Sequence, residues 1–197
     1  GRGHVQINGE IEHEQGIPQS YKGISLVGKN VLLINNPDLI LRISSDLTLS
    51  GNIENPSLTG HIRVIRGLYL KRSFALFKHK LDLIKLRKPE GSLFADTRLD
   101  IEVVGERSML ARTRDVKLVG TPALKMEGYA NKVVFSGRIN FDEGFCDLFK
   151  RFQIESGSII FSKDEKIPEL NAVAINESDE LQVRLKATGP LNKIEWN

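Results

Sequence analysis

The feature that most constrains this chain is a pattern of alternating residues that is broken by glycine and then repeated. Leu47–Gly51 reads LTLSG, and Pro56–Gly67 reads PSLTGHIRVIRG. Both segments return 77 residues later, as LKMEG at Leu124–Gly128 and GRINFDEG at Gly137–Gly144. Repetition of strand, glycine and strand at constant spacing is typical of a repetitive β-structure.

A looser continuation extends each copy of the repeat. Leu99–Gly105 corresponds to Val183–Gly189 at an offset of 84, so about seven residues have been inserted between the matched blocks. We therefore predict two internal repeats, at about 47–105 and 124–189, within a single β-domain over residues 1–197. Val5–Ile11 looks like the end of another copy, which predicts that the chain is a fragment of a longer repetitive protein.

Period-two alternation recurs along the chain and predicts a sheet with one apolar and one polar face. Only Glu143–Gln153 shows helical spacing, and Gly144 weakens it. Glu12–Gly23 is predicted to be a mobile loop, and short connections favour antiparallel pairing. Further turns are predicted at Asn35–Asp38, Asn52–Pro56, Lys88–Gly91, Gly120–Pro122 and Glu155–Ser158.

An apolar face of this length has no amphipathic helices to cover it, so the sheet must fold over or close on itself. The predicted fold is all-β: a repetitive, elongated, folded-over sheet, forming a β-taco or open β-solenoid-like groove with an apolar concave face. A solidly packed sandwich core is the alternative that periodicity alone leaves open. The residues predicted to line the groove are Val5, Ile7, Leu41, Ile43, Leu47, Leu49, Ile62, Val64, Leu99, Ile101, Val103, Leu124, Met126, Phe135, Ile139, Phe141, Val183 and Leu185.

Positive charge is concentrated in one part of the chain. Residues 61–88 hold nine Lys and Arg against one acid, Asp82, whereas the whole chain carries a net charge of only +3. Such a stretch would attract phosphates or an acidic partner, or would simply be a solvated sheet face. The predicted anionic contacts are Lys78, Lys80, Lys85, Arg87 and Lys88.

No motif in the sequence indicates catalysis or a cofactor. The four histidines are scattered without metal-ligand spacing, and Cys146 is the single cysteine. Dispersed acids and one tryptophan, Trp196, argue against a carbohydrate-active enzyme. We therefore expect neither an enzyme nor a metal or other cofactor, and no nucleic-acid binding. No apolar run reaches the roughly 18 residues of a membrane span, so any anchor would lie outside this chain.

Four segments together resemble the C-terminal domain of the TamB family, the translocation and assembly module proteins of diderm bacteria: Asp46–Gly51, Asn55–Tyr69, Leu99–Gly105 and Leu181–Pro190. The resemblance covers roughly 39–196. The Ser-x-Pro segment that usually follows the last strand in the family is absent from this chain.

The resemblance implies a periplasmic β-groove belonging to a single-pass inner-membrane protein. It implies that the groove shields acyl chains of phospholipids moving between the inner and outer membranes, and that it supports assembly of outer-membrane proteins. The implied partners are phospholipids, the POTRA domains of a TamA-like Omp85-type barrel, and nascent outer-membrane proteins. The alternative is a protein-interaction module that docks such partners without carrying lipid.

Overall fold

The structure is a computed structural model that describes residues 3–70, 95–178 and 181–197. All secondary-structure elements within these residues are β-strands. The strands are β1 (His4–Glu14), β2 (Ile17–Asn35), β3 (Leu39–Asn52), β4 (Ser57–Leu70), β5 (Arg98–Val104), β6 (Met109–Arg112), β7 (Val116–Tyr129), β8 (Lys132–Asp147), β9 (Arg151–Phe161), β10 (Glu169–Ser178), β11 (Leu181–Pro190) and β12 (Glu195–Trp196).

The strands form one mixed sheet, which confirms the predicted all-β class. Its order is β1-β2-β3-β4-β5-β7-β8-β9-β10-β11-β12. The short β6 follows β5 in the same position of the sheet, where it pairs with β4 on one side and β7 on the other. Pairing is antiparallel except between β4 and its neighbours β5 and β6, where it is parallel. Antiparallel pairing, which was predicted from short connections, is found at the hairpins such as β3–β4 and β7–β8. The parallel strands β4 and β5 are separated by residues 71–97, a length that a parallel connection requires.

The sequence repeat corresponds to two equivalent hairpins, β3–β4 and β7–β8. In the first, Gly60 lies opposite Leu47 with φ 130°, and an added Cβ would lie 2.2 Å from the Asp46 carbonyl oxygen. In the second, Gly137 lies opposite Leu124 with φ 107°, and a Cβ would lie 2.4 Å from the corresponding carbonyl oxygen. Both positions need glycine for backbone conformation and for close strand approach.

The predicted loop Glu12–Gly23 and the predicted turn Glu155–Ser158 lie in strands. Glu12–Gly23 belongs to the β1–β2 hairpin, whose ladder continues through Glu12 and Ser20 to a two-residue turn at 15–16. The Ser20 hydroxyl donates a hydrogen bond to the Glu12 carboxylate at 2.6 Å, so polar side chains stabilise a hairpin that lacks an apolar pattern. Glu143–Gln153 is the end of β8, a turn and the start of β9 rather than a helix.

Proline 122 shows why one predicted turn was wrong. Gly120–Pro122 lies inside β7. The neighbouring position in the sheet is interrupted at this point, because β5 pairs with β7 residues 123–129 and β6 pairs with β7 residues 117–120. Pro122 thus faces the β5–β6 connection, where the Gly105 amide donates to its carbonyl oxygen at 3.2 Å. A residue without an N–H is tolerated at such a gap.

Candidate binding face

The register of the strands places all eighteen predicted groove residues on one face of the sheet, which we call the aliphatic face. One row of this face runs across seven strands. The row consists of Ile7, Leu26, Leu47, Gly60, Ile101, Met126 and Phe135. Whether these residues bind a ligand stays a prediction.

Local bulges keep apolar side chains on the same face. Extra residues occur at Ile65 in β4, Asp142 in β8 and Glu155 in β9, where the pairing register shifts. Beyond each bulge, the residues that point to the aliphatic face change from odd to even numbers or the reverse. Phe141 and Cys146 of β8, which lie on either side of a bulge, therefore share one face. The sequence could not place these bulges, since none occurs at the repeated glycines.

The aliphatic face carries no charge over most of the sheet. In the described strands β3 to β11, no Asp, Glu, Lys or Arg occupies a position of this face. An apolar surface of this continuity is typical of a packed core or of a binding site for apolar ligands.

Exposure of the aliphatic face changes from one end of the strand order to the other. Val5 and Ile7 of β1 are 57% and 64% exposed, whereas Ile101 of β5 is 1% and Phe141 of β8 is 4% exposed. The predicted groove residues Ile43, Val64 and Leu99 are also buried, at 6%, 5% and 7% exposed. Leu47 and Ile62 are partly buried. The face is thus open at β1, partly covered at β3 and β4, and packed from β5 onward.

A packed cluster fills the aliphatic face between β7 and β11. Its buried members are Leu118, Phe141, Leu170, Ala172, Ala187 and Leu191. Side chains from the segments before β10 and after β11, namely Ile167, Leu191 and Ile194, take part in this packing. The Phe141 ring lies over Gly157, where an added Cβ would meet ring atoms at 2.1 Å. Phe141 is therefore a core residue of this part of the face.

A second cluster covers the adjacent corner of the same face. Cys146, Phe152 and Ala174 are buried together, and Val183 and Leu185 pack against them. Burial raises the pKa of the Cys146 thiol, so it keeps its proton at neutral pH and is a poor nucleophile.

The opposite face is polar and ion-paired. Lys125 lies 3.0 Å from Asp100 and 3.1 Å from Glu127, and Lys163 lies 2.5 Å from Glu127. Hydrogen bonds from Lys163 and then Lys125 lower the pKa of the Glu127 carboxyl. Arg184 donates to both Glu155 carboxylate oxygens at 2.8 and 2.9 Å. These solvated ion pairs make the opposite face hydrophilic but contribute little to the free energy of unfolding.

Several residues of the aliphatic face were missing from the predicted set. Ile24 and Leu26 on β2 continue its rows, and their alternation was a usable signal. Strand β10 was missed altogether because Ala172 and Ala174, with small side chains, give a weak apolar pattern. The predicted anionic contacts Lys78, Lys80, Lys85, Arg87 and Lys88 lie outside the described residues.

Neither a metal site nor a membrane-spanning helix is found in the described part of the chain. No three His, Cys, Asp or Glu side chains there are grouped so that they could hold a metal ion. No described helix has the length and apolar character needed to cross a bilayer.

A single glycine-punctuated sheet, with one aliphatic face and one ion-paired face over the described residues, places the chain in the class of all-β sheet domains. The chain belongs to the TamB C-terminal domain family, whose model matches residues 1–196. No curated protein matches the chain.

Membership in this family has functional consequences. It supports a TamB-related role in outer-membrane assembly, and the family is not a known enzyme family. TamB proteins work with TamA-type partners, and the domain fits a periplasmic region of a membrane-anchored protein.

Proposed function

We propose that the aliphatic face binds acyl chains of phospholipids and shields them from water as they move between the inner and outer membranes, without catalysing a reaction. The observation that carries the proposal is the absence of Asp, Glu, Lys and Arg from this face in the described strands β3 to β11. An acyl chain on such a surface gains about 0.8 kcal/mol per methylene transferred from water.

The solvent exposure of the aliphatic face determines where acyl chains can bind. Val5 and Ile7 are more than half exposed, so the face at β1 and β2 can take up an apolar ligand without unpacking a core. The clusters around Phe141 and Phe152 leave no comparable opening between β7 and β11. Acyl chains therefore lie over β1 to β4, and the buried Leu99 and Ile101 of β5 end the binding surface.

A matched pair of substitutions tests this function. Ile7→Asp places a carboxylate on the aliphatic face, and Gln6→Asp places the same charge one residue away on the polar face. Because Ile7 is 64% exposed, its replacement should leave the fold intact. Mass spectrometry of lipid retained by the purified chain should show a loss for Ile7→Asp and no change for Gln6→Asp. Equal lipid content in both variants would contradict acyl-chain binding at this site.

A second function is favoured by the edge of the sheet. Strand β1 pairs only with β2 among the described strands, and its exposed Val5 and Ile7 adjoin a free backbone edge. A β-segment of a nascent outer-membrane protein, or a POTRA domain of a TamA-like barrel, could add there as a further strand. Partner binding by a chain that retains no lipid, lost in Ile7→Asp, would favour this protein-docking function over lipid binding.

A further inference from the structure

Two neighbouring turns form one tip at the same end of the sheet. They are residues 113–115, between β6 and β7, and residues 148–150, between β8 and β9. The Asp147 amide donates to the Asp115 carbonyl oxygen at 2.7 Å and joins the two turns. The Thr113 hydroxyl accepts hydrogen bonds from the Asp115 and Val116 amides, which orders the first turn. We call this structure the β6–β9 tip.

The tip presents large apolar side chains to solvent. Phe149 is 75% exposed and Leu148 is 49% exposed. The Phe149 ring packs edge to face on Phe152 at a centroid distance of 5.4 Å, and Phe152 is completely buried. Phe149 is thus held outward by a buried aromatic residue. The packing of the described residues does not account for a phenylalanine exposed on this turn.

Cations outnumber carboxylates in the two turns and the residues that flank them, 112–117 and 147–151. The cations are Arg112, Arg114, Lys117, Lys150 and Arg151, and the carboxylates are Asp115 and Asp147. Arg151 forms a bidentate pair with Asp147 at 2.7 and 2.8 Å. Arg114 approaches Asp115 only to 3.8 Å, and its side chain is 86% exposed. The tip therefore retains a net positive charge next to Leu148 and Phe149.

We infer that the β6–β9 tip docks on the surface of an anionic phospholipid bilayer, with Leu148 and Phe149 entering the interface and the basic side chains contacting lipid phosphates. Aromatic and aliphatic residues flanked by Lys and Arg are the combination that anchors a protein at a bilayer surface. The tip is separate from the aliphatic face, because it binds an intact bilayer rather than single acyl chains, and it does not depend on the proposed function.

Tryptophan fluorescence tests the insertion directly. Trp196 is the single tryptophan, so Phe149→Trp in a Trp196→Phe background reports on the tip alone. Vesicles of phosphatidylcholine with brominated acyl chains, with and without phosphatidylglycerol, are the probe. We expect bromine quenching of the tryptophan at 149 only when phosphatidylglycerol is present, weakening as salt screens the charges. The matched control is Ile17→Trp, at a site that is 62% exposed at the other end of the strands. Absence of quenching at 149, or equal quenching at both sites, would overturn the inference.

Charge and apolar variants separate this docking from other contacts. Arg114→Glu with Lys150→Glu should lower vesicle co-sedimentation by about tenfold or more. Leu148→Ser with Phe149→Ser should also lower it, whereas Ile17→Ser should not. If Ile7→Asp were the variant that abolished vesicle binding, lipid would be reaching the aliphatic face and tip docking would be wrong. If the tip variants instead dissociated a dimer in sedimentation velocity and left vesicle binding unchanged, the tip would be a contact between copies.

Discussion

At position 157 a glycine leaves room for the Phe141 ring, and this contact closes the aliphatic face between β8 and β10. Phe141 lies in one row with Gly157, Ala172 and Ala187, so a large ring on β8 is followed by small residues on the next three strands, and it lies over the first of them, Gly157. At the open side of the sheet, Ile7 lies opposite Leu26 and remains 64% exposed. Side-chain size along a row thus decides where the face is filled and where it can accept a ligand.

Substitution of Gly157 tests this contact. Gly157→Ala should lower the free energy of unfolding by about 1–3 kcal/mol, because the added methyl overlaps the Phe141 ring. Ser158→Ala, on the polar face, should change it little. Phe141→Leu should relieve the overlap, so the double variant should lose less stability than the two single losses added together. Urea denaturation of the wild type and the four variants measures these changes. If the losses in the free energy of unfolding of Gly157→Ala and Phe141→Leu were fully additive in the double variant, the packing described would be contradicted.

Which face a residue occupies was predictable from sequence wherever the pattern alternates without interruption. Leu47, Leu49, Ile101 and Met126 needed only that alternation. The burial of Phe141 was not predictable, because it depends on Gly157 in a neighbouring strand and on Leu191 beyond β11. The exposure of Phe149 was not predictable either, since its spacing from Phe145 and Phe152 suggested one face of a helix.

Strands differ in how firmly the sheet holds them. Every residue of β1 is exposed, and β1 pairs on one side only among the described strands. Strands β9 and β10 each pair on both sides and contribute Phe152, Leu170 and Ala172 to the buried clusters. At the other end of the sheet, β11 is partly covered, because β12 pairs with Ala187 and Thr188. Among the described strands, β1 has the longer unpaired edge.

Hydrogen exchange should follow this gradient. We expect the amides of β1 to exchange faster than those of β9 and β10, because few buried contacts oppose local opening of β1. Exchange monitored by mass spectrometry at low protein concentration provides the comparison. Protection of β1 equal to that of β10 under these conditions would show that its edge is covered, and would contradict an open binding surface at Val5 and Ile7.

Strand existence and hairpin order followed from the repeat, but strand pairing required tertiary information. The β3–β4 and β7–β8 hairpins were visible as repeated text, whereas the parallel pairing of β5 with β4 depends on the long connection over 71–97. Pro122 resembled a turn residue because the gap between β5 and β6, which accommodates it, is created by strands distant in sequence.

The whole sheet has two chemically different sides and a gradient along its strand order. The aliphatic face is uncharged from β3 to β11 in the described chain, and the opposite face carries ion pairs such as Lys125 with Asp100. Exposure of the aliphatic face is greatest at β1, while the strands from β7 to β11 carry a packed core. In the function proposed above, lipid chains lie over β1 to β4, and the buried residues of β5 end their path.

Site-specific photocrosslinking measures most directly whether lipid chains occupy the aliphatic face. A benzophenone amino acid is placed in turn at Ile7 and Leu47 on that face, and at their neighbours Gln6 and Thr48 on the polar face. After illumination in the presence of phospholipid vesicles, mass spectrometry detects covalent lipid adducts. The account predicts adducts at 7 and 47 and none at 6 and 48. Equal adducts on both faces, or none at 7 and 47 in protein that retains phospholipid, would contradict it.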